Sequence, residues 1–171
     1  MSGAPIVSAT LDELNAARTA PAAYAAHIRP VLAEFDGLVR KRPGKPGLRT
    51  SEGAAAVEEA IKFLETADPC PKLEGTPKGM CAAAGEHCAD LAKSGLTGHE
   101  GSDGSSPFDR LERHGEWQVT AGENIAYASA DASSAREYIC QLIIDDGVPP
   151  SLPIVSPSSH KSSRRPGALE E

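Results

Sequence analysis

Apolar residues recur three and four apart along much of the chain, and proline and glycine break the runs into short helices. Thr10-Leu-Asp-Glu13 has the form of a capping box, so a helix is expected from Leu11 to about Arg18. Pro21 suits the first turn of a second helix, Pro21 to Ile28, before Pro30 interrupts the pattern. Ala54, Val57, Ile61 and Leu64 mark a third helix, which follows Ser51 and ends before Asp68-Pro69. Thr76-Pro77 opens the cleanest one: Met80, Cys81, Ala84, Cys88 and Leu91 share a face, and Ser94-Gly95 supplies the C-terminal glycine. That face predicts both cysteines as small buried hydrophobes. Pro107 leads into a short helix, Phe108 to His114, stopped by Gly115. In the last helix Ala135, Tyr138, Ile139, Leu142 and Ile143 form the stripe, Asp131 is the expected cap, and Asp145-Asp146-Gly147 closes it.

The intervals differ in character. Between Asp36 and Gly53 lies Arg40-Lys41-Arg42-Pro43-Gly44-Lys45-Pro46-Gly47, whose prolines and glycines predict no regular structure. Such a basic run invites a phosphate or membrane reading, but without interleaved aromatic residues it reads as a solvated loop. Gly98 to Ser106 is a loop by composition. Trp117-Gln-Val-Thr120 and Ile125-Ala-Tyr127 look like short strands around Ala121-Gly-Glu-Asn124. From Pro150 to Glu171 there are four prolines, six serines and the basic Lys161, Arg164 and Arg165, with one apolar stretch, Leu152-Pro-Ile-Val155. A segment of that composition buries too little surface to offset its ordering entropy and is expected to be disordered. The expected organisation is an extension over residues 1–9, a domain over 10–149 and a tail over 150–171.

Composition narrows the class. The 171 residues suit one domain, and 40% hydrophobic residues can supply a core, though aromatic residues are only 4%. No stretch approaches the ~18 apolar residues that span a bilayer, so no transmembrane segment is expected. With 24 acidic against 17 basic side chains the net charge is −7, the wrong sign for a general nucleic-acid binder. The N-terminus has neither the basic region nor the apolar core of a signal peptide, so the chain as written reads as cytoplasmic, or else its export segment is missing from this sequence. Cys70, Cys81, Cys88 and Cys140 are too sparse for a disulfide-dense scaffold and contain no CxxC. Cys81 and Cys88, seven apart on one expected helix, cannot bond to each other without breaking it.

Candidate chemistry concentrates between His99 and Glu123. Imidazole nitrogen and carboxylate oxygen are ordinary zinc ligands, and an open catalytic site takes three such ligands plus water. His99 and Glu123 are the metal-type candidates, possible ligands of a divalent ion such as zinc. His87, on the expected polar side of its helix, and His114 read as solvated. The nucleophile elbow, HExxH and P-loop patterns are absent, and the His99-Glu100…Asp103 run lacks the alternating acids of an EF-hand.

Several motifs stand in order along the chain: Asn15-Ala-Ala-Arg18, Cys88-Ala-Asp90, Ser94-Gly95, Gly98-His99, Gly101-Ser-Asp-Gly104, Arg110, Gly115-Glu-Trp117, Gly122-Glu-Asn-Ile-Ala126 and Leu142-Ile-Ile-Asp-Asp-Gly-Val-Pro149. Together they resemble the CAP superfamily, the SCP-like cysteine-rich secretory, antigen and pathogenesis-related proteins. The likeness covers roughly Leu11 to Pro149. It implies an α+β fold, an α-β-α sandwich with a small sheet between helical layers. It also implies a cleft of two histidines and two acids that binds a divalent metal in some members. His99 matches the first histidine, Glu123 the acid of Gly-Glu-Asn, and Asp145 the second acid, beside Asp146. The resemblance implies export, and a lipid, sterol or protein partner in defence or host interaction.

After Asp145-Asp146-Gly147-Val148-Pro149 the family pattern continues into Gly-His-Arg, which brings the second histidine and the remaining strands. Here Pro150-Ser-Leu-Pro-Ile-Val155 follows, and His160 has no family context. The tail is expected to come from a shifted reading frame, a retained intron or alternative splicing. The sheet then lacks its C-terminal strands, and marginal stability or self-association is expected. The resulting reading is a non-catalytic binding module. Its rivals are a metal-dependent hydrolase using His99 and Glu123, and a nonfunctional truncated variant.

Overall fold

The structure is a computed structural model that describes residues 4–116, 121–127 and 134–147. It is α+β and helix-rich, and it divides into two compact units. The first runs to Pro77 and resumes at Asn124; the second is Lys78–Glu123.

The first unit begins with α1 (Ala4–Thr19) and α2 (Pro21–Ile28), continues through a 3-10 helix (Arg29–Glu34), and ends with α3 (Ala54–Thr66) and α6 (Ala135–Ile144). α2 packs on α3, and α1 packs on α6. Ile28, Val57, Leu64 and Ile139 are almost wholly buried there, and Ala17, Tyr24, Ala25, Val31, Ile61 and Cys140 complete the core. Val57, Ile61 and Leu64 are the residues whose spacing predicted α3.

α1 starts earlier than the capping-box pattern suggests. Thr10 lies inside the helix, and its hydroxyl donates to Ile6 O at 2.7 Å, the back-bonding habit of a mid-helix threonine. Glu13 does not reach back to Thr10. Its carboxylate accepts from Tyr24 Oη at 3.0 Å and from Arg136 Nη2 at 2.8 Å, tying α1 to α2 and α6. Asn15 is 8% exposed, and its amide exchanges bonds with the backbone of Leu73 at 3.1 and 2.8 Å. It pins the stretch that follows α3 against α1.

The interval expected to be irregular carries a small antiparallel sheet, with strand order β1 (Phe35–Asp36), β2 (Val39–Arg40), β3 (Leu48–Arg49). Phe35 faces Arg40 in the first pairing, and Arg40 faces Leu48 in the second. Each strand has two residues, too few to display alternation. Gly37, at φ +58°, makes the turn between β1 and β2, a first position that wants glycine. Pro43, Gly44, Pro46 and Gly47 occupy only the connection to β3.

α6 is capped by Ser134, whose hydroxyl accepts from Glu137 N at 3.2 Å. Asp131, the expected cap, lies outside the described residues, as do Trp117–Thr120 and the tail from residue 148 on. Ile125-Ala-Tyr127 is described and is not a strand. Asp145 ends α6 in the left-handed region at φ 51°. Asp146 accepts from Ser51 N at 2.9 Å and Glu52 N at 2.8 Å, which fastens the end of α6 to the entrance of α3.

The second unit is α4 (Lys78–Ser94) packed on α5 (Pro107–His114) with the Gly98–Ser106 loop between them. Gly79 is required at the crossing: a Cβ there would stand 2.5 Å from His114 O. α4 does not bury the face its apolar spacing suggests. Met80, Cys81 and Cys88 are exposed, and the helix buries Ala83 and His87 instead. The reason is the partner surface. α4 meets a polar loop and a charged helix, so the stripe that turns inward is the one that can hydrogen-bond. Of the four cysteines, Cys70 and Cys140 are buried and Cys81 and Cys88 exposed.

Candidate functional site

The loop of the second unit is built by its own short bonds. Gly101 N donates to Ser105 O at 2.9 Å and Gly104 N to Gly101 O at 2.9 Å, closing a tight turn. Asp103 accepts from Ser105 N at 2.9 Å, and Asp90 on α4 accepts from Ser102 N at 2.7 Å. Ser106 and Asp109 then form a reciprocal capping box that launches α5 with Pro107 in its first turn. The box fixes where Arg110 points.

Arg110 is the centre of the unit. It is 2% exposed, and its guanidinium donates to Ser105 O at 2.8 Å, to His99 O at 3.0 Å and to both oxygens of Glu123 at 3.0 Å. A buried charge is tolerated only when paired and hydrogen-bonded, and here three parts of the unit supply the partners. One nitrogen, Nε, is buried without a partner.

His99 and Glu123, 24 residues apart, meet directly. His99 Nδ1 lies 2.9 Å from Glu123 Oε1. Two forces act on the carboxyl of Glu123: burial raises its pKa, but the bonds from His99 and Arg110 outweigh this and hold it below the ordinary glutamate value. An ionised carboxylate only accepts, so Nδ1 carries the hydrogen and donates. Nε2 of neutral His99 is then a lone pair on a half-exposed ring.

His87 lies behind this pair. It is 3% exposed, its Nε2 donates to Gly98 O at 2.9 Å, and the same nitrogen is 3.9 Å from Glu123 Oε1. Its Nδ1 is buried with no partner. The expectation of a solvated His87 is therefore corrected, because the polar side of α4 is its inner side. His114, also expected in solvent, pairs through Nε2 with Glu86 at 2.6 Å. Arg113 joins Glu86 and, at 2.9 Å, Asp103, so α4, α5 and the loop share one more charged junction.

Asp145 belongs to the first unit, where burial raises the pKa of its carboxyl. The residues that sequence reasoning missed are Arg110 and His87. Arg110 stood among the resemblance motifs without a role. The capping box just before it marks only where α5 begins.

As a metal set the pair falls short. Zinc in an open site takes three protein ligands. His99 and Glu123 offer two, and Glu123 already has a guanidinium on both oxygens. Among the described residues no group of three or more His, Cys, Asp or Glu side chains is disposed to hold a metal ion. The residues present do not fit the metal centre that the resemblance implies. No helix among the described residues is long and apolar enough to cross a membrane. Compared with family models, with curated proteins and with solved structures, the chain matches none.

Proposed function

We propose that the chain is a CAP-like, SCP-like domain that works by binding a ligand rather than by turning one over. The observation that carries this reading is the 2.9 Å contact of His99 with Glu123, residues that the resemblance assigns to one cleft. The α-β-α sandwich and the exported location belong to the same proposal. In it the buried arginine and glutamate fix the ring, and His99 Nε2 is the contact group, accepting a hydroxyl or amide proton from the polar end of a lipid or sterol.

Arg110 weighs against the hydrolase rival. A general base must take a proton, and a guanidinium bonded to both carboxylate oxygens lowers the basicity of Glu123. Calorimetry of the full chain with zinc and, separately, with cholesterol delivered from cyclodextrin tests the choice. The expected result is sterol binding that weakens in His99→Ala, with zinc affinity the same in both proteins. Tight one-to-one zinc binding that His99→Ala abolishes would overturn the binding reading in favour of the hydrolase. Absence of sterol binding would remove the ligand class.

A further inference from the structure

The first unit holds a half-open groove of about 480 Å³ between the small sheet, the end of α6 and the stretch through Tyr127. That size lies within the roughly 300–1,000 Å³ of small-molecule sites. Part of its lining is apolar, with Phe35, Leu48, Tyr127 and Leu142. Leu48 and Tyr127 are 51% and 53% exposed. Arg40, Arg42, Lys45 and Arg49, drawn from the basic run and β3, also line it.

Charge decides the ligand. Arg40 is held by Glu34 at 2.6 Å and Arg42 by Glu137 at 2.5 Å, so their guanidiniums stand in fixed positions. Arg49 has no carboxylate partner among the described residues. Arg40 and Arg42 are thus matched by Glu34 and Glu137, and Asp146 is spent on the amides of Ser51 and Glu52. Arg49 is the exposed strand cation that the groove offers to an anion.

We propose that this groove binds a small organic anion with an apolar body, the body lying on Phe35, Tyr127 and Leu142 and the anionic group meeting Arg49. The groove shares no lining residue with the His99–Glu123 pair, and the proposal stands whether or not the CAP-like reading holds.

The probe is 8-anilino-1-naphthalenesulfonate, titrated into the full chain and followed by fluorescence, beside uncharged N-phenyl-1-naphthylamine. The sulfonate is expected to bind saturably at one site, and the neutral amine more weakly. Arg49→Glu, an exposed strand position, is expected to weaken the sulfonate by about tenfold or more. Lys62→Glu, the same charge change on the outer face of α3, is expected to leave it unaltered. Arg49→Gln, which keeps the side chain's length without its charge, should weaken it less than Arg49→Glu. Equal binding of the two dyes, an unchanged affinity in both Arg49 variants, or no saturable binding of the sulfonate would overturn the proposal.

Discussion

The two units bury opposite kinds of residue. The first closes on Ile28, Val57, Leu64 and Ile139, side chains with nothing to satisfy but volume. The second closes on Arg110 and His87, with Ala83 the hydrophobic residue in its buried set. A hydrocarbon core is non-directional and tolerates exchange of one shape for a similar one. A buried polar cluster is directional, and removing one partner leaves the remaining group buried and unpaired. Stability and site geometry are therefore separable in the first unit and the same thing in the second. The bonds that hold the second unit's loop are also those that orient His99.

Arg110 is where that contrast breaks most sharply. Arg110→Met keeps much of the volume but strips Glu123, His99 O and Ser105 O of a donor at once. The expected loss is about 4 kcal/mol, the scale for removing one member of a buried ion pair. Residue-resolved hydrogen exchange should show the loss in Lys78–Glu123 and leave α2 and α3 protected. Pairing the change with Glu123→Gln should recover part of it, because the stranded charge is then gone. A loss below about 1 kcal/mol would mean that the guanidinium is not what closes the unit.

The counterpart in the first unit is Leu64→Ala. Its side chain is wholly buried among α2 and α3 residues, so truncation leaves a cavity and costs about 3 kcal/mol. Denaturant unfolding should show this loss to be the same at low and high salt. An equally large salt dependence in both variants would erase the distinction between the two cores.

Legibility follows the same division. The first unit's helices were readable because Val57, Ile61 and Leu64 repeat at the helical period and do pack inward. Its sheet was not readable, because two-residue strands carry no period, and the prolines that argued against it lie in the connection. In the second unit the apolar pattern misled. Met80, Cys81 and Cys88 are spaced like a core stripe, yet Ala83 and His87 face inward, where hydrogen-bonding partners wait. His99 and Glu123 meet across 24 positions, a contact that no local period announces. Arg110 stayed hidden because a basic residue in a short polar helix normally signals solvent, and nothing in one sequence marks a carboxylate 13 positions on as its partner.

Acid separates the units with a smaller effect. In the second unit Glu86, Asp90, Asp103, Asp109 and Glu123 are all held below their ordinary pKa values. Hydrogen bonds dominate the first four, from His114, Ser102, Ser105 and Ser106 respectively. For Glu123 burial opposes, and the bonds from His99 and Arg110 prevail. A carboxyl whose folded pKa is depressed contributes fully above its unfolded value, and the contribution is lost as pH falls through the folded one. The loss should therefore begin below about 4.5, the ordinary value for Glu123, and deepen toward the acid limit. In the first unit Glu13 and Asp36 are lowered, but Asp145 is raised by burial, so its protonation on acidification favours the fold. Hydrogen exchange across an acid titration should show Lys78–Glu123 opening before α2 and α3, and Glu123→Gln should flatten part of that pH dependence. If α2 and α3 open first, the polar cluster is not the acid-sensitive half of the molecule, and the contrast between the two cores fails at its electrostatic root.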